Sequence, residues 1–175
     1  MPHSIESTLV VLDVWYNEPS VGSDRPKLIS KLALLELCGW IEETFDEMIR
    51  YIDKQTLGDE KWVNEKLIDR TSGFKYDTHL RSMIVDLVGE VFARRIEEKM
   101  EATSKGDLER LKSMLGELWK KRCSFAHADV AANVAAQAKF DAPSWSINQH
   151  RILKKLFLSF ENSIKLALET QIKLT

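Results

Sequence analysis

PKLISKLALLELCGWIEETFDEMIRYID, residues 26–53, decides the fold. Ile29, Leu32, Leu35, Cys38, Ile41, Phe45, Met48 and Ile52 recur every three or four residues. That period lays one apolar stripe along a helix of about seven turns. Pro26 suits a first helical turn, where its missing N–H is not needed, and Ser23 or Asp24 can cap it. Glu36, Glu42, Glu43 and Asp46 are acidic members of the same helix. A stripe this long is buried only when other helices cover it.

Those helices are found downstream. Gly58-Asp59 breaks the pattern, and a short helix over 60–69 follows, with Trp62, Val63 and Leu67 as its packing residues. Thr71-Ser72-Gly73 reads as a turn. Asp77 is expected to cap a long helix running to about residue 101, striped by Leu80, Met83, Ile84, Leu87, Val88, Val91, Phe92 and Ile96. After the break at Ser104 to Asp107, another helix carries Leu108, Leu111, Met114, Leu115, Leu118 and Trp119. Residues 130–140 are alanine-rich and predict a weak helix. Asp141-Ala142-Pro143-Ser144 stops it, and the last helix spans about 146–172. Four long amphipathic helices and one short one predict an all-α, antiparallel up-and-down bundle. It occupies 26–175 as one domain. Residues 1–25 are expected to be an arm and loop, with 8–15 an apolar segment that packs on the body or on a partner.

Composition agrees. Only 7 glycines and 4 prolines occur in 175 residues, too few for the many tight turns of a sandwich or barrel. The 25 basic and 27 acidic residues leave a net charge of −2, without the basic excess that marks many nucleic-acid binders. Cys38 and Cys123 lack metal or redox spacing and read as reduced thiols. No apolar run approaches the ~18 residues of a membrane span, and the N-terminus has no basic n-region or cleavage site. The expected location is cytoplasmic.

One stretch carries chemistry: Lys120-Lys121-Arg122-Cys123-Ser124-Phe125-Ala126-His127-Ala128-Asp129, where the apolar stripe of its helix fails. Arginine offers a permanently charged fork to phosphate oxygens, and histidine titrates near neutrality. His3, His79 and His150 have nothing reactive at useful spacing and read as solvated or structural. On an unbroken helix Arg122 and His127 stand about 140° apart, so they meet only if the helix loosens near Ser124 or across a two-fold axis.

RCSFAHAD, residues 122–129, resembles the Arg-x4–6-His signature of HEPN domains (higher eukaryote and prokaryote nucleotide-binding), closest to the bacterial toxin-like group. The motif ends a late helix and precedes a long final one, as in that superfamily. Cys123 departs from the Asn, Asp or His common at its position in active members, and Ala128 from the common Gly. The resemblance implies a metal-independent RNA endonuclease of a defence or toxin–antitoxin system. It would work without metal or cofactor, as a homodimer with a site at the two-fold interface. Arg122 would stabilise charge and His127 act as general acid or base. Lys120 and Lys121 would steer phosphate, and Glu36, Glu42 or Glu43 and Asp129 would orient the pair. RNA and an antitoxin or other protein are the implied partners.

Two other readings compete. One is a catalytically inactive HEPN-like module that dimerises and binds a protein or nucleotide, favoured by Cys123 and the balanced charge. The other is an unrelated helical scaffold. Trp15, Trp62 and Trp145 near helix edges suit a protein–protein surface as well as a core.

Overall fold

The structure, a computed structural model, describes residues 4–19, 24–126 and 141–172. They form seven helices and no strand: α1 (Glu6–Asn17), α2 (Arg25–Gln55), α3 (Glu60–Val63), α4 (Arg81–Val88), α5 (Glu90–Thr103), α6 (Asp107–Ala126) and α7 (Pro143–Ile172). A π-type turn, Asn64–Ile68, prolongs α3, and a second, Tyr76–Leu80, leads into α4. The expected all-helical class is observed. His127, Asp129 and the alanine-rich 130–140 lie outside the described residues, as does Ser23.

α2 and α7, of 31 and 30 residues, form the spine. α7 packs against α1, α2, α5 and α6. Leu37, Ile41, Phe45, Ile49 and Ile52 of α2 meet Leu153, Phe157, Phe160 and Ile164 of α7 within one buried cluster. Aromatic edges lock it: Phe45 and Trp40 both contact Phe157, with ring centroids 6.0 and 5.4 Å apart.

The segment 8–15 packs on the body, one of the two expected outcomes, and does so as part of helix α1, with Leu9 and Leu12 against Ile29, Ala33 and Ile147 of α2 and α7. Two expectations are corrected. The long helix expected over 77–101 is two, because Gly89 adopts φ 85° and ends α4. Arg81 spans that break, its guanidinium gripping Glu90 at 2.7 and 3.1 Å and Glu97 at 2.9 Å. Leu32 and Leu35, assigned to the inward stripe of α2, point outward, while Ala33, Leu34 and Leu37 fill the core. Each three-residue step turns a helix back by about 60°, so a run of such steps slides off the buried face. Val91 is likewise exposed.

No described helix is long and apolar enough to cross a membrane.

Candidate functional site

α6 carries Trp119 and Arg122 one turn apart, so both side chains project to the same side. Facing them is the loop Thr71-Ser72-Gly73-Phe74 between the two π-type turns. Gly73 is buried with φ 133°, a region that side chains avoid. A Cβ there would stand 2.7 Å from His79 Nε2 and 2.8 Å from the Trp119 ring. Glycine thus lets the loop press on the indole. Phe74 meets Trp119 edge-on, centroids 5.3 Å apart, and His79 tilts against it at 5.4 Å. The Lys75 N–H donates to His79 Nδ1 over 3.1 Å. Nδ1 is then the acceptor, so the neutral ring carries its proton on Nε2.

Arg122 lies against this aromatic wall. Its Cζ is 5.3 Å from the Trp119 centroid and 6.0 Å from that of Phe74. Nη2 is 3.2 Å from Glu42 Oε1 on α2, and the two side chains are 29% and 32% exposed. An ion pair this accessible adds at most about 1 kcal/mol. Its effect is to hold the planar guanidinium in one orientation. Beside it opens a cleft of about 240 Å³ bordered by Glu42, Phe45, Asp46, Thr71, Gly73 and Arg122. The Asp46 carboxyl is held above the usual carboxylate range. Burial raises it, the nearby Arg50 opposes, and Glu42, Glu43 and Asp69 add to the rise.

The other expected site residues divide. Glu42 is the residue that pairs with Arg122; Glu36 and Glu43, its neighbours in sequence, make no ion pair with it among the described residues. Lys120 is exposed. Lys121 is committed elsewhere: Nζ is bonded to Asp141 Oδ2 at 2.5 Å and lies 4.8 Å over the Trp145 ring, fastening the end of α6 to the start of α7. Steering phosphate would require breaking that contact. His127 and Asp129 lie outside the described residues. Cys123 is exposed. Cys38 is buried, and desolvation pushes its thiol up to about 12, so it is no nucleophile at neutral pH.

Trp119, Phe74, Gly73 and Asp46 were not singled out as site residues by the sequence. Trp119 belonged to an apolar stripe, and the three-residue spacing to Arg122 was the available signal. For Gly73 and Asp46 there was none, because their role depends on a loop meeting α6 across 40 or more residues.

Elsewhere, a cleft of about 390 Å³ between α2 and α7 is lined by Glu47, Met48, Tyr51, Lys54, Ile164 and Lys165, a mixed-charge surface without a reactive constellation. No group of three or more His, Cys, Asp or Glu able to hold a metal occurs among the described residues. No protein-family model, no curated protein and no solved structure matches the chain.

Proposed function

We propose that the chain is the protomer of a metal-independent RNA endonuclease of HEPN type, with an antiparallel bundle as its scaffold and a defence or toxin–antitoxin role. One observation carries the reading: Arg122, the arginine of the motif, is a partly exposed guanidinium oriented by Glu42, backed by Trp119 and Phe74, and open to a cleft. A fixed cation that needs no reorganisation is what a developing phosphorane requires.

In the proposed reaction the RNA 2′-OH gives its proton to one imidazole and attacks the adjacent phosphorus. The bond from phosphorus to the 5′-oxygen breaks, and that oxygen takes a proton from a second imidazole. His127 of each copy in a two-fold dimer supplies the two imidazoles, and Arg122 balances charge on the non-bridging oxygens.

Incubating the purified protein with mixed RNA in EDTA tests this. Cleavage should occur without metal. Arg122→Ala should slow it by roughly 10²–10³-fold and His127→Ala by a similar or larger factor. Cleavage unchanged by either substitution, or none by the natural chain, removes the enzyme reading. The second reading, an inactive binding module, is favoured by two observations: Glu42 already occupies one edge of the guanidinium, and Cys123 stands beside it where active members carry a polar group.

A further inference from the structure

The cleft beside Arg122 is lined by groups of opposite demand. Glu42, Phe45 and Asp46 reach it from α2, and Met83 from α4. Phe45 and Met83 are buried and give it an apolar lining. Arg122 brings the N–H donors of a guanidinium, of which Glu42 engages one edge. Asp46 brings the reverse, two acceptor oxygens and no donor when ionised. Among the described residues Asp46 forms no ion pair and no side-chain hydrogen bond; Arg50 acts on it through its charge. Burial and the carboxylates of Glu42, Glu43 and Asp69 make the Asp46 charge harder to keep. A partly buried carboxylate without donors is stabilised by a ligand that supplies them.

We infer that this cleft holds one nucleobase of the RNA and that Asp46 makes that base guanine. The inference rests on the reading of Arg122 as the group that meets the phosphate. Asp46 follows Glu42 by four residues, so it stands about 6 Å further along the same side of α2. That is close to the reach from a phosphate, across one ribose, to its base. A cation at one end and a carboxylate at the other match a nucleotide from phosphate to base edge. The space, about 240 Å³, suits one base rather than a helix or a peptide segment.

The choice of base follows from what an ionised carboxylate lacks: it accepts and cannot donate. The Watson–Crick edge of guanine offers two neighbouring donors, the ring N–H and the amino group, one for each Asp46 oxygen. Adenine and cytosine set their amino group beside a bare ring nitrogen, whose lone pair would face the second oxygen. Uracil has a single N–H between two carbonyls. Bases splayed out of single-stranded RNA are read on this edge. Ser72, exposed at the rim of the cleft, carries a hydroxyl donor for the guanine carbonyl oxygen. A mismatched base leaves Asp46 partly buried and without partners, and from that penalty a polar site gains its selectivity.

Fluorescence anisotropy with 2′-O-methyl octamers of uridine, each carrying one central guanosine, inosine, adenosine or cytidine, tests the pocket. These octamers lack the free 2′-OH and cannot be cleaved through it. The guanosine octamer should bind the natural chain at least about tenfold more tightly than the adenosine and cytidine ones. Inosine lacks only the amino group of guanosine and should bind about tenfold more weakly than it. Asp46→Asn replaces an acceptor by a donor at the same size and should erase the guanosine preference. Equal affinities for the four octamers overturn the proposal. So does a preference that Asp46→Asn leaves intact, inosine bound as tightly as guanosine, or no binding of any octamer. Cleavage of the all-ribose octamers by the same preparation reads the enzyme separately. Guanosine-selective binding without cleavage keeps the pocket and removes the nuclease, whereas cleavage without base preference does the reverse.

Discussion

Gly73 and His150 show how single positions carry constraints that their neighbours in sequence do not announce. Gly73 combines a left-handed φ with a contact to Trp119 and His79 too close for any Cβ. Gly73→Ala is therefore expected to lose about 1–3 kcal/mol and to displace the indole behind Arg122, which denaturant melts and Trp fluorescence would report. His150, read from the sequence as solvated or structural, is fully buried on α7, edge-on to Trp40 with centroids 4.5 Å apart. Neither of its ring nitrogens, nor Trp40 Nε1, has a hydrogen-bond partner among the described residues. Burial holds its pKa below the ordinary value of 6.5; Glu6 opposes this, while Lys154 and Arg151 reinforce it. As pH falls below 6.5 the unfolded chain takes up this proton first. The stability from a neutral His150 is complete above 6.5 and declines below it, by at most about 1.4 kcal/mol per pH unit. His150→Phe keeps a ring of similar size and removes the unpartnered nitrogens. At pH 8 it should cost no more than about 1 kcal/mol, and melting curves between pH 6.5 and 5 should show a shallower fall than in the natural chain.

At the scale of elements, the breaks matter as much as the helices. Gly89 divides α4 from α5, and Arg81 staples the two together through Glu90 and Glu97, with the Tyr76 hydroxyl also donating to Glu97 at 3.0 Å. This arrangement turns α5 onto α7 and frees the loop at Gly73 to face α6. α1 is held by a small separate cluster in which Leu9 is fully buried. Arg151 of α7 adds an exposed ion pair to Glu6. Truncating Leu9→Ala should remove about 2–4 kcal/mol. Amide exchange should then quicken throughout α1 while the α2–α7 core stays protected, because the two clusters share few side chains.

For the whole molecule, a reaction that takes one imidazole from each of two chains, as proposed, requires association. Such association stabilises the native state by mass action. The melting temperature should rise with protein concentration over the micromolar range, and a value independent of concentration would count against a two-chain site. The sequence made much of this molecule legible. The helix over 26–53, the stops at Gly58 and at Ser104 to Gly106, and the long last helix all follow from local period and turn chemistry, and the structure contains them. Arg122 was legible as a candidate, because a motif is a local pattern. Its surroundings were not.

By itself the sequence determined most of the helical segments and their stops, though not helix α1 or the break at Gly89, since local period and turn chemistry depend on residues within a few positions of one another. It did not determine which face each helix turns inward. Tertiary structure decided that Leu32 and Leu35 face out, that Glu42 rather than Glu36 or Glu43 meets Arg122, and that Lys121 holds Asp141. The reason is geometric. Three- and four-residue spacings leave several adjacent helix faces comparably apolar, and only the helices packed alongside select among them.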